Sequence, residues 1–174
     1  VISRFKLEAE IWVPQNLDVV WSTGAKLENL DRVTPSDFNI VLKQSGPVTE
    51  GSQFSISIKP FGLPIHYEWH ARIMDVIDTP NKKEFVDIQE RGPFLFWKHK
   101  HSFERGQRDV FGARSGTRVA YKNPGTWVRE RVEYSMPLNI VGQIGHALFM
   151  KKELERVFAF RRVAFAQLLN SQEN

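Results

Sequence analysis

The chain has 174 residues, with 24 Lys and Arg against 20 Asp and Glu, for a net charge of +4. At 41% apolar and 25% charged residues it falls in the ordinary globular range, which excludes disorder and fibrous repeats, and its length suits one domain. It contains no cysteine, so disulfide frameworks, thiolate metal sites and cysteine nucleophiles are excluded as well.

Phe5 to Val13 alternates apolar and polar residues with period two, the pattern of a strand with one buried face, and Pro14 ends it. Asn16 or Asp18 is placed to cap a short helix through Leu17, Val20 and Trp21, which Gly24 closes. A second short helix through Leu27 and Leu30 is expected to end before Pro35. Strands follow at Phe38–Lys43 and Phe54–Lys59, separated by a turn at Gly46-Pro47 and followed by one at Pro60-Phe61-Gly62. From Ile65 to Ile77 the alternation is long. Ile65, Tyr67, Trp69, Ala71 and Ile73 share one face, while His66, Glu68, His70 and Arg72 share the other, where exposure explains the two histidines.

Glu84–Gln89 and Phe94–Glu104 read as two more strands joined at Gly92-Pro93. The polar stretch from Arg105 to Gly125 reads in two ways: an extra strand at Thr117–Lys122 ended by a turn at Asn123-Pro124-Gly125, or an added hairpin at the rim. Trp127–Met136 is the last strand, with Val128, Glu130, Val132 and Tyr134 facing inward. Ala147 to Leu169 lacks Gly and Pro and reads as one long helix, whose stripe is Leu154, Val157, Phe158, Arg161, Phe165 and Leu168. His146, just before it, suits a local hydrogen-bonding role. The expected fold is α+β: a curved antiparallel sheet of about seven strands wrapped around a long C-terminal helix, with two short helices after the first strand.

The chemistry concentrates in the hairpin around Gly92-Pro93. Phe85, Asp87 and Gln89 share one side of its first strand; Trp97, His99, His101 and Phe103 share one side of the second. The opposite side of the second strand carries Lys98 and Lys100, so the aromatic side is the inward one. A register setting Asp87 opposite Trp97 places Phe85 opposite His99 and lets Asp87 reach His99 diagonally. Two imidazoles and a carboxylate then point into the interior, where polar groups without partners each cost about 1–3 kcal/mol.

The string F-x-D-x-Q-x-x-G-P-F-x-x-W-x-H-x-H-x-F from Phe85 to Phe103 resembles the START-like (SRPBCC) superfamily, also known as the polyketide cyclase/dehydrase and birch-pollen-allergen-like group. T-x-x-x-E-R-V-E-Y at Thr126–Tyr134 and L-x-x-V-F-x-F-R at Leu154–Arg161 extend the resemblance, although the pattern usually has Asp at the position of Glu130. The resemblance implies that residues 1–174 form a single helix-grip, ligand-binding domain, with an apolar cavity between sheet and helix.

Two functions are expected from these readings. The first is binding, for transport or sensing, of a small hydrophobic molecule such as a lipid, isoprenoid or polyketide. Trp69, Phe85, Trp97, Phe103, Tyr134 and Phe158 would line the site, and Asp87, Gln89, His99, His101, Glu130 and Arg161 would be its polar contacts. Arg161 reads equally as a ligand or carboxylate partner and as a snorkelling edge residue. The alternative is a cyclase or dehydratase with His99, His101 and Asp87 as candidate acid–base residues, although no nucleophile or cofactor motif accompanies them.

His-x-His places two imidazoles on one face, and Asp87 or Glu130 could complete a facial metal set, but the spacing is short and common. No metal and no cofactor are expected. Acids such as Asp109, Glu130 and Glu133 interrupt the arginines between Arg105 and Arg131, so no nucleic-acid partner is expected either. No apolar run reaches the roughly 18 residues that span a bilayer, and no signal-peptide pattern opens at Val1, so the expected location is cytoplasmic.

Overall fold

The computed structural model describes residues 4–59, 66–114, 117–136 and 140–171, with the backbone alone at 111–114, 117–121 and 140–148. In chain order the elements are β1 (Phe5–Val13), α1 (Leu17–Gly24), 3-10 turns at Leu27–Asn29 and Ser36–Phe38, β2 (Val41–Gln44), β3 (Gln53–Ile58), β4 (Tyr67–Asp78), β5 (Lys82–Arg91), β6 (Phe96–Arg114), β7 (Thr117–Ser135) and α2 (Ile140–Asn170). The strands form one antiparallel sheet in the order β1-β7-β6-β5-β4-β3-β2. This is the expected α+β helix grip. The turn read at Pro60-Phe61-Gly62, residue Ile65 and the side chain of His146 lie outside the described residues.

Local chemistry accounts for the early elements. The Asn16 side chain accepts a hydrogen bond from the Val19 amide at 3.0 Å and so satisfies one of the free donors at the start of α1. On the inner face of the sheet, Ala71, Ile73, Phe103, Val128, Val132 and Tyr134 are buried. The expected stripe of α2 closes over them, with Leu154, Val157, Phe158, Phe165 and Leu168 all buried. Gln15 and Thr126 fasten the closing end: the Thr126 hydroxyl donates to the Gln15 carbonyl at 2.9 Å, and the Gln15 amide donates to Asn170 Oδ1 at 3.0 Å.

Four expectations need correction. Phe38 does not begin a strand. It is buried at the end of a 3-10 turn, Asn39 then takes φ 43°, and β2 starts only at Val41. Residues 105–125 do pair as a hairpin, but without a strand of their own. They continue β6 and β7, each 19 residues long, and pair without a break from Arg105↔Thr126 to Arg114↔Thr117.

Asn123-Pro124-Gly125 is therefore strand, not turn. β1 pairs with β7 only as far as Val13↔Thr126, so Pro124 lies where β7 has a free edge and the missing N–H breaks no ladder. Finally, α2 begins at Ile140 rather than near Ala147, running through Gly142 and Gly145 despite roughly 1 kcal/mol of lost propensity at each.

Gly125 and Gly106 face each other across the β6–β7 ladder. A Cβ on Gly125 would lie 2.2 Å from the Val13 carbonyl oxygen and 2.6 Å from the Trp12 ring, whereas the atoms nearest one on Gly106 belong to the Trp127 side chain, at 2.4 Å. Backbone cannot rotate away, but a half-buried indole can. Gly125→Ala is therefore expected to destabilise by about 1–3 kcal/mol and Gly106→Ala by clearly less, as read by urea unfolding.

On the outer side of β5, the buried Glu84 carboxylate is held by Lys100 Nζ at 2.6 Å and Lys82 Nζ at 3.0 Å. Burial alone would raise its pKa, but the two ammonium groups outweigh burial and set it below the ordinary 4.5. Its stabilising contribution is complete above the unfolded pKa and is lost as pH falls through the lower folded value. Glu84→Gln should flatten the acid limb of stability below about pH 4.5 while lowering stability at neutral pH, measured by denaturation across pH.

Candidate functional site

The β5–β6 hairpin sets the centre of the site. Its register puts Asp87 directly opposite His99 and Phe85 opposite His101, two residues from the expected pairing of Asp87 with Trp97. Gln89 explains the shift. Its amide donates to the Phe94 carbonyl at 2.8 Å and its oxygen accepts from the Phe94 N–H at 3.4 Å. A side chain thus replaces ladder bonds around Gly92-Pro93, and the turn is wider than a tight hairpin.

The consequence is that Asp87 reaches His101 diagonally, with Asp87 Oδ2 2.9 Å from His101 Nε2; a carboxylate only accepts, so the imidazole donates. His99 Nδ1 lies 3.6 Å from the same oxygen, and the Trp97 indole N–H donates to Asp87 Oδ1 at 3.3 Å.

β7 and α2 supply the other half. Glu130 Oε1 is 3.6 Å from both His99 Nε2 and His101 Nδ1, and Arg161 Nη1 donates to it at 3.0 Å. The imidazoles therefore stand between two carboxylates, each ring turning one nitrogen toward Asp87 and the other toward Glu130. The two rings lie 3.8 Å apart between centroids, and His101 stacks on Phe85 at 4.2 Å. His99 is 5% exposed, and its Nε2 is buried without a hydrogen-bond partner. Arg161 also donates from Nε to the Val33 carbonyl at 3.4 Å and covers the Phe158 ring, so it acts as a carboxylate partner rather than a snorkelling residue.

The titration of these groups follows from burial set against neighbours. Burial pushes the Asp87 carboxyl up, but the His101 hydrogen bond, the nearby imidazoles and the Trp97 N–H outweigh it and leave the carboxyl below its ordinary range. Burial likewise opposes ionisation of Glu130, yet the Arg161 guanidinium and the two imidazoles hold its pKa well below the usual value. Burial and the charge of His99 push His101 down, against the pull of Asp87 and Glu130.

A cavity of about 180 Å³ opens from this cluster, between the sheet and α2. Asp87, His99, His101, Glu130 and Arg161 line it, as do Trp69, Phe85, Trp97 and Phe103 among the residues expected from sequence. Three expected residues lie outside its wall. Gln89 staples the hairpin turn, Tyr134 is a core residue packed on Phe5 and Phe94 at 5.5 and 5.7 Å, and Phe158 stands behind the wall, edge-on to His99 at 5.6 Å.

Sequence reasoning missed the part of the wall formed by Leu30, Val33, Thr34 and Phe38, in and around the 3-10 turns, and by Phe54 and Ile56 of β3. The β3 alternation was visible. The 3-10 segment carries no periodic pattern that would have placed it there. Thr34 Oγ1 is a second buried polar atom of the wall without a partner.

No protein-family model and no curated protein matches the chain. Solved structures do. The Zhui aromatase/cyclase from Streptomyces sp. R1128 aligns over 99% of this chain and 97% of its own, with TM-score 0.65 and 11% identity. A START superfamily protein from Mycobacterium smegmatis aligns over 96% of this chain and 98% of its own, with TM-score 0.63 and 10% identity. Norcoclaurine synthase from Thalictrum flavum, in complex with dopamine and hydroxybenzaldehyde, aligns over 98% of this chain and 88% of its own, with TM-score 0.58 and 14% identity. At such identities the likeness is one of fold. The chain shares the helix-grip fold of these structures.

Removing the cation beside Glu130 tests how the cluster is held. Arg161→Met leaves a buried carboxylate without its guanidinium and should cost about 3–5 kcal/mol, while Glu130→Gln in the same chain should restore much of the loss. Chemical denaturation of the single and double variants measures both.

Proposed function

We propose that the protein, as a single ligand-binding unit, binds a compact and largely apolar molecule carrying one polar group, for transport or sensing. The observation that carries this reading is the cavity itself: apolar over most of its wall, with the polar cluster of Asp87, His99, His101, Glu130 and Arg161 on one part of it. Binding pockets combine apolar walls with a few convergent polar groups that fix orientation. An apolar molecule gains from the walls, and a hydroxyl or carbonyl on it can meet the polar cluster.

Size narrows the class. The cavity of about 180 Å³ compares with a buried cavity of about 150 Å³ that accepts benzene, and falls below the roughly 300 Å³ where drug-sized pockets begin. Among the expected ligands, this favours a ring-sized aromatic or polyketide-type fragment, or a short isoprenoid, over a long-chain lipid. The aromatic rings account for the limit. Trp69, Phe94, Trp97 and Tyr134 pack together at one end, with the indoles of Trp69 and Trp97 4.9 Å apart between centroids. Part of the space a helix grip encloses is thus filled with side chains. The cyclase or dehydratase alternative uses the same cluster and requires chemical change in the bound molecule.

Calorimetric titration with p-cresol, 2-naphthol and oleate tests the reading. The two phenols should bind at one site per chain and oleate should not. Ile56→Phe, which places a larger ring at the wall, should weaken phenol binding tenfold or more. No phenol binding, or binding indifferent to the Ile56 substitution, overturns the proposal. Recovery of an altered phenol after incubation would move the assignment to the enzyme.

A further inference from the structure

We infer that Asp87, His99 and His101 form a binding site for a divalent transition-metal ion, with its open side facing the cavity. The facing atoms are Asp87 Oδ2, His99 Nδ1 and His101 Nε2, and the potential ligand atoms of the three residues all lie within 4.8 Å of one another. Two of the separations are known individually, 2.9 Å from Asp87 Oδ2 to His101 Nε2 and 3.6 Å to His99 Nδ1. Donors about 2.0–2.1 Å from a tetrahedral ion lie about 3.4 Å from each other, so these spacings suit one ion with little side-chain movement. Two imidazoles and one carboxylate are a donor set for zinc, iron, nickel or copper rather than for calcium or magnesium.

The surrounding groups make this more than three ligating residues near each other. A metal-bound histidine normally donates its far N–H to a carboxylate or carbonyl, which fixes the ring and its tautomer. Here the far nitrogens are His99 Nε2 and His101 Nδ1, and each faces the same oxygen, Glu130 Oε1, at 3.6 Å. Arg161 Nη1 holds that oxygen at 3.0 Å. The order is therefore metal, two imidazoles, one shared carboxylate, one guanidinium.

The cluster also bears a charge that invites a cation. With neutral imidazoles, Asp87 and Glu130 against Arg161 leave one net negative charge in a buried site, which is costly without compensation. His99 supplies an independent sign, since its Nε2 is buried, faces Glu130 Oε1 at 3.6 Å and makes no hydrogen bond at that spacing. The spacing of His-x-His alone did not lead to a metal; the shared carboxylate behind both rings does. This inference goes beyond ligand binding and does not depend on it, although an oxygen of a cavity ligand could occupy the open coordination position.

The test uses untagged full-length protein stripped with chelator and dialysed against Co²⁺ or Zn²⁺ chloride. One ion per chain should be retained, and cobalt should give the visible absorption of a site of low coordination number with nitrogen ligands. Asp87→Asn and His101→Gln should each abolish the stoichiometric ion and its spectrum, and Glu130→Gln should weaken affinity about 10–100-fold. His66→Gln with His70→Gln should change nothing. Since core substitutions can unfold a chain, the wild-type protein provides a second readout: Zn²⁺ should raise its Tm, and the folded Asp87→Asn variant should show no such shift. Absence of saturable binding by the wild-type chain overturns the inference, as does binding that survives His101→Gln or vanishes with the surface histidines. Phenol titration of the metal-free protein separates the two proposals: phenol bound without any metal uptake defeats this one alone.

Discussion

The constraint on which the rest of the structure depends is the burial of two carboxylates beneath one helix. Asp87 and Glu130 belong to different strands, and neither can remain ionised in that setting without partners. The partners come from two elements: the imidazoles and the Trp97 indole of β6, and Arg161 of α2. Arg161 also reaches the Val33 carbonyl, so the helix, the sheet and the segment between the 3-10 turns are fixed at one point. An apolar core of equal volume would hold these elements together with no less stability. What the ionic set adds is position, because hydrogen bonds to Asp87 and Glu130 admit few placements of the helix over the sheet. This explains why a fold with so many aromatic side chains still leaves space beside the cluster.

Most of the architecture was legible in the sequence because it rests on period. Alternation located β1, β3, β4 and β5, and the stripe from Leu154 to Leu168 gave the buried face of α2. The errors came where a residue type was read as punctuation. Asn123-Pro124-Gly125 has the composition of a turn, yet β6 and β7 outrun both neighbouring strands, and a free edge tolerates proline. Gly142 and Gly145 look like breakers, but α2 continues through them because their propensity loss is small on the scale of a helix of 31 residues. Phe38 has strand propensity and sits in a 3-10 turn, where it fills the wall from outside the sheet.

The candidate site was legible as a set of residues and not as a geometry. Strand alternation placed Asp87, His99, His101 and Glu130 on inward faces, which is all that parity can do. Register is a different quantity. A shift of two residues keeps every side chain on its face and changes only who meets whom, so parity is blind to it. Here the shift comes from Gln89, which was expected to touch ligand and instead shapes the turn by bonding to Phe94. That one side chain converts an expected Asp87–Trp97 pairing into one with His99, and brings His101 within hydrogen-bonding reach.

The size of the cavity and the polarity of its floor are linked through the same hairpin. Phe85 and Phe103 flank His101 on the inner face, and the Trp97 indole is committed to Asp87, so the aromatic side chains that reduce the volume also orient the polar groups. Enlarging the space by trimming Trp97 would release Asp87 Oδ1, and trimming Phe85 would take away the ring on which His101 is stacked. Volume and polar geometry cannot vary independently here. The same few side chains set both the space beside the cluster and the orientation of its polar groups.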